Sequence, residues 1–275
     1  MPALDDLLAS RKALWLDYTD YAAALLANGA VPWLDAGAAV AWQRKAQGLL
    51  KSDVITLPVA AVCAAWIDTH PALREAMAAK RRAVVPLKTL LADEGLRTQL
   101  VELAAGLRAC FPSLPLALAV PSPREWVAQA YRQAHGSEVE VGEDEADSAA
   151  VYLADFLRAF GEAGVDALLL QESAASEPEV AEALSCYQPV LNVAAHYRWD
   201  VGLGAPGGRY AGGAAGLGFV VAPRALPGTR AGCIVPEDFW TGAAPPDCPP
   251  HGFRYAVIPP GAQPEAVLQR LAVLH

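Results

Sequence analysis

Glu172 and His196 stand where a side chain could move a proton. Glu172 follows the apolar run Val165 to Leu170, so its carboxyl would meet a low dielectric, hold its proton above the ordinary range and act as an acid or base. The competing reading is a cap for a helix beginning near Glu177. His196 closes YQPVLNVAAH, read as a strand over Pro189 to Ala195, and could polarise or protonate a substrate oxygen, with Arg198 beside it as a substrate contact. A strand-end histidine bonded to backbone is the alternative.

The segment PSPREW supplies a binding group. Ser122 can cap a helix whose first turn holds Pro123, and the free N–H groups there, with the planar fork of Arg124, would hold a carboxylate. An ordinary cap with an exposed arginine is the rival. The glycine-rich segment Gly202 to Gly218 lacks the lysine and Ser/Thr of a P-loop. It reads instead as a lid over a site, bringing Arg209 and Tyr210 onto substrate. Cys233, Cys248, His251 and His196 lack zinc-ligand spacing, so no metal is expected, and Cys63, Cys110 and Cys186 read as small core residues.

The elements that must position these groups follow from period. Val151, Leu153, Ala154, Leu157 and Phe160 form an amphipathic stripe, Gly164 stops that helix, and Val165 to Leu170 is apolar on both faces, as in a covered parallel strand. Helices are predicted over Leu4 to Asn28, Ala36 to Leu50, and Pro71 to Leu107 with an interruption near Pro86. Strands are predicted over Asp53 to Leu57, Pro115 to Val120, Val165 to Leu170, Pro189 to Ala195, Leu217 to Ala222, Arg230 to Val235 and Arg254 to Ile258, with a further candidate at Val31 to Leu34. Seven or eight strands and a mainly helical N-terminal segment predict one α/β domain over 1–275, a TIM-type (β/α)8 barrel with residues 1–50 packed on it. The loop APRALPGT leaves no room for a crossover helix, so residues 200–250 should be irregular.

Composition narrows the function. The 275 residues are 54% hydrophobic, with mean hydropathy +0.23, which excludes a disordered chain. A net charge of -9 and a pI near 5.0 argue against nucleic acid, and Lys80, Arg81 and Arg82 read as a solvated helix end. The start MPALDDLLASRKALW has acids where a secretion signal needs bases, and no apolar run reaches membrane-spanning length. Five cysteines without paired spacing suit a reducing compartment. The expectation is a cytoplasmic monomer or homodimer.

The helix-to-strand unit over Glu145 to Ser173, with its turn Ala163, Gly164, Val165, Asp166 and the acid Glu172 before Ser173, resembles the uroporphyrinogen decarboxylase and cobalamin-independent methionine synthase superfamily. Val40 to Leu57, Leu116 to Ala130, Pro178 to His196 and Phe253 to Leu274 resemble further units in the same order, over about half the chain. The resemblance implies a barrel with an anion-handling mouth. Its zinc-bearing methyltransferases carry a His-x-Cys pair where Asn192 and Ala194 stand here, and its decarboxylases carry an acid where Pro58 to Ala60 stand. The leading expectation is cofactor-free decarboxylation, or related carbon-carbon lyase chemistry, on a small carboxylated substrate: Glu172 or His196 would be the proton donor, and Ser122, Arg124, Arg198, Arg209 and Tyr210 the binding residues. The alternatives are one-carbon transfer and a non-catalytic barrel that binds a ligand or partner.

Overall fold

Short runs with apolar residues on both faces become strands that are covered on both sides. The computed structural model of the chain describes Leu4, Leu7 and residues 13–212, 216–226 and 228–274. Residues 5, 6 and 8–12 of the expected first helix, residues 213–215 of the glycine-rich segment and Pro227 of the loop APRALPGT lie outside that set. Eight strands are described: β1 (Ala13–Asp17), β2 (Ile55–Pro58), β3 (Leu116–Pro121), β4 (Ala167–Gln171), β5 (Asp200–Gly204), β6 (Phe219–Ala222), β7 (Arg230–Ile234) and β8 (Phe253–Val257). All pair in parallel in the order β1-β8-β7-β6-β5-β4-β3-β2, which makes a nearly closed α/β barrel of the TIM type.

The seam between β1 and β2 is held by side chains. The Leu14 N–H donates to the Asp53 carboxylate at 2.8 Å and the Leu16 N–H to Ser52 Oγ at 3.0 Å, while Asp53 N–H returns a bond to Leu14 O. Ser52 and Asp53 thus satisfy buried backbone donors of β1.

Ten α-helices are bounded among the described residues and surround the strands: α1 (Thr19–Leu26), α2 (Ala36–Leu50), α3 (Val59–Thr69), α4 (Pro71–Met77), α5 (Val85–Leu91), α6 (Glu94–Cys110), α7 (Pro123–His135), α8 (Glu143–Leu157), α9 (Gln188–Tyr197) and α10 (Pro264–Leu274). Strand side chains alternate between two apolar clusters. Leu14, Leu16, Leu118, Leu168 and Leu170 pack outward against the helices. Ala13, Trp15, Ala117, Leu169, Phe219, Phe253 and Tyr255 fill the lumen, joined by Leu4. The rings of Trp15, Phe219 and Phe253 meet at 5.6 to 5.8 Å between centroids. A Cβ on Gly202 would overlap the Phe219 ring, so glycine is what lets that ring lie across β5.

The turn before β4 is latched. Gly164 adopts φ 74° and its carbonyl accepts from Arg108 Nε at 2.9 Å; the same guanidinium pairs with Asp166, whose carboxylate also accepts from Leu116 N–H at 2.9 Å.

Three element assignments are corrected. Within the expected helix Leu4 to Asn28, ALWLD forms β1, because its large apolar residues serve the lumen and the helix layer alternately. Pro189 to Ala195 is not a strand but most of α9: Val190, Leu191, Val193 and Ala194 are buried at helical spacing, and Pro189 occupies the first turn, where its missing N–H costs nothing. Val31 to Leu34 forms no strand. Residues 200–250 are irregular as expected in one respect: α-helices are absent between β5 and β8 among the described residues, and one 3-10 turn, Glu237–Thr241, lies there. The seven-residue loop between β6 and β7 is nonetheless long enough to return along a four-residue strand, since extended chain spans ~3.3 Å per residue. No helix among the described residues is long and apolar enough to cross a membrane.

Candidate functional site at the barrel mouth

Because the strands are parallel, their C-terminal ends share one rim. The lumen-facing residues there are Asp17, Thr56, Ala119, Gln171, Gly204, Val221, Ile234, Tyr255 and Val257. They line two adjoining cavities of about 210 Å³ each that share Asp17, Gln171 and Val257. A larger hollow of about 910 Å³ lies outside the barrel between α8 and α9, with His196 on its wall. The candidate site is the mouth, where polar groups from several strand ends converge on apolar walls.

Asp17 is the centre of that convergence. It continues the inward alternation of Ala13 and Trp15, and its carboxyl accepts from Thr19 N–H at 3.3 Å and from the Tyr255 hydroxyl at 3.4 Å. Gln171 also hydrogen-bonds the Tyr255 hydroxyl. Burial raises the Asp17 carboxyl above the usual carboxylate range; the Thr19 amide opposes this, Asp20 adds to it, and the hydroxyls of Thr19 and Tyr255 oppose it. Burial likewise raises the Tyr255 hydroxyl well above its ordinary value, with Asp17 adding to the effect. Thr56 Oγ1 accepts from Trp15 Nε1 at 2.8 Å, which leaves the threonine hydroxyl proton to donate elsewhere. Among the described residues, the linings of both cavities include the acids Asp17, Asp20 and Glu172 and no Lys, Arg or His.

Glu172, Ser122 and Arg124 come together just outside this lumen. Glu172 follows Gln171, so alternation turns its side chain toward the helix layer. There its two oxygens accept from the Tyr187 hydroxyl and Ser176 Oγ, each at 2.6 Å. Ser122 caps α7 by accepting from Glu125 N–H at 3.1 Å and lies 3.3 Å from the Tyr187 hydroxyl. Burial raises the Glu172 carboxyl, against the hydroxyls of Ser176, Tyr187 and Ser122 and the charge of Arg124. Arg124 keeps a buried Nε without a hydrogen-bond partner. Glu172 thus combines a raised affinity for its proton with two occupied oxygens.

The other expected residues lie elsewhere. His196 is exposed in the last turn of α9, and Arg198 is its left-handed C-cap, two residues before β5 begins. Both therefore sit at the N-terminal rim, opposite Glu172 and Arg124. Arg209 and Tyr210 do not descend onto the mouth: the Glu177 carboxylate accepts from both their N–H groups and from Gly207 N–H at 2.6 to 2.7 Å. The Arg209 guanidinium donates to Ala174 O, and Tyr210 is buried. These contacts bind loop 205–212 to loop 173–180.

Asp17, Gln171 and Tyr255 were missed by sequence reasoning, although Asp17 carries the same signal as Glu172, an acid ending an apolar run. No three His, Cys, Asp or Glu side chains among the described residues gather as metal ligands would. No family model matches the chain, and no curated protein matches it.

Proposed function

We propose that this protein is a barrel enzyme that binds one small polar molecule at the C-terminal mouth and moves a proton through Asp17. The observation that supports this is a lumen-facing carboxyl with a raised affinity for its proton, beside a tyrosine hydroxyl, on a cavity walled by Leu169, Val221, Ile234 and Val257. Cofactor-free decarboxylation, or related lyase chemistry, is the reaction class these groups suit. Apolar walls strip water from a substrate carboxylate and favour loss of carbon dioxide, and a neutral Asp17 then delivers its proton to the carbanion left on carbon. In this reading Thr56, Gln171 and Tyr255 orient the substrate by neutral hydrogen bonds, and Arg124 acts from behind Glu172 by charge alone.

The test is a panel of small carboxylic acids assayed for carbon dioxide release and for ligand-dependent melting. With an accepted acid in hand, Asp17→Asn should keep ligand binding and lower turnover by ~100-fold or more, since it removes the transferable proton while keeping the shape. Unchanged turnover in that variant overturns the assignment. Binding without turnover in the wild type favours a non-catalytic barrel.

A further inference from the structure

We infer that Cys233 and Cys248 form a reversible intrachain disulfide by reaction with a small-molecule disulfide. Neither thiol belongs to the proton-moving site at the mouth. Cys233 lies on the outward face of β7 and is 2% exposed, while Cys248 is half-buried in the loop before β8. The register pairs Gly232 with Phe253 and Cys233 with Arg254, so Ala231 and Cys233 share the outer face of the sheet with Gly252 and Arg254. A Cβ built on Gly252 would lie 3.0 Å from Cys248 Sγ and 2.9 Å from Ala231 O. Cys248 Sγ therefore rests on the same outer face, close to Cys233, and the two thiols are within hydrogen-bonding reach.

Gly252 marks how closely the loop that carries Cys248 lies on this face. It is not among the glycines with positive φ, so its backbone does not demand glycine. A Cβ there would meet the backbone oxygens of Ala231 and Pro249 as well as Cys248 Sγ, so the loop packs closely onto the strand pair at this point. Pro245, Pro246, Pro249 and Pro250 surround the cysteine and limit the conformations from which it could be presented.

Chemistry fixes the order of attack. Cys248 is the more accessible thiol and reacts first: its thiolate attacks one sulfur of the small disulfide and releases one thiolate. Burial pushes the Cys233 thiol up to about 11, with Cys248 adding to the rise and Arg254 opposing it. Cys233 therefore resolves second, giving up its proton and attacking Cys248 Sγ to expel the second small thiolate. The protein loses two hydrogens and the oxidant becomes two thiols. The bond would tie the loop carrying Glu237–Thr241 to β7, whose next residue, Ile234, walls the mouth.

Both cysteines fall in one tryptic peptide, Ala231 to Arg254, because no Lys or Arg lies between Arg230 and Arg254. Native protein treated with oxidised glutathione, alkylated and digested should give this peptide lighter by two hydrogens than the untreated, unalkylated peptide, and dithiothreitol should restore its two thiols. Cys233→Ser should stop at glutathione on Cys248, a species the wild type does not accumulate. Any of four results overturns the inference: wild type that stops at the same mixed disulfide, no reaction at either thiol, a crosslink that forms only in urea, or pairing with Cys63, Cys110 or Cys186 instead.

Discussion

Glu177 is the pin between the two loops above β4 and β5, and its removal has a calculable consequence. The residue is 4% exposed, and its carboxylate accepts three backbone N–H bonds: from Gly207 on one oxygen, and from Arg209 and Tyr210 on the other. Glu177→Gln keeps the shape. The amide oxygen can retain the Arg209 and Tyr210 bonds, now neutral, but the amide nitrogen then faces the Gly207 N–H, donor against donor. Weakening two charge-assisted bonds and inverting a third should cost about 3 kcal/mol, taking ~1 kcal/mol for each step. Since 1.4 kcal/mol is a factor of ten, opening of loop 205–212 should become ~100-fold more frequent. Native-state hydrogen exchange reads this directly: the amides of Gly207, Arg209 and Tyr210 should exchange faster by that factor, while those of Leu168 to Leu170 in β4 keep their rates. Acceleration below ~tenfold at all three amides would refute the view that this carboxylate holds the loop.

Asp17→Asn should raise the melting temperature by a few degrees above neutral pH and give no gain in acid. A raised folded-state pKa makes the carboxyl's stability contribution complete below the unfolded value of about 3.9 and progressively lost as pH rises through the folded value, a loss the amide escapes. Glu172→Gln should lower the melting temperature, because the Tyr187 and Ser176 hydroxyls lose a charged acceptor and one must face an NH2 group; a cost of ~2 kcal/mol in a denaturant titration is expected. On a confirmed substrate, a far larger loss of turnover in Glu172→Gln than in Asp17→Asn would move the proton donor back to Glu172. Gly202→Ala should cost ~2 kcal/mol or more, since its Cβ overlaps the Phe219 ring inside a filled lumen; an unchanged unfolding midpoint would show that the aromatic layer is looser than drawn.

The barrel was legible where the signal was local. A cap and a proline at PSPREW, and a glycine stop before VDALLL, act within a few residues, and the helix and strand they predict are present at α7 and β4. ALWLD was not legible, because its first four residues feed two apolar layers and show no polar face, and they adjoin a stretch with helical spacing. Each such error carried a candidate residue with it. In a barrel of alternating elements a strand end lies at the mouth and a helix end at the opposite rim, so reading α9 as a strand transferred His196 and Arg198 across the molecule. Missing β1 hid Asp17.

A finer limit applies even where the element is right. A strand's alternation decides whether its last side chain enters the lumen or the helix layer, and a shift of one residue exchanges the two. In β4, Ala167, Leu169 and Gln171 point inward, which sends Glu172 outward to Tyr187 and Ser176. In β1, Ala13 and Trp15 point inward and carry Asp17 with them. Both carboxyls end apolar runs and both are raised by burial, so composition and position treat them alike. What separates them is partners: the hydroxyls of Ser176 and Tyr187 occupy both oxygens of Glu172, while Asp17 has longer bonds to Thr19 and Tyr255 and adjoins both mouth cavities. A ligand there can compete for Asp17 at little cost, and to reach the carboxylate of Glu172 it would have to displace two short hydrogen bonds.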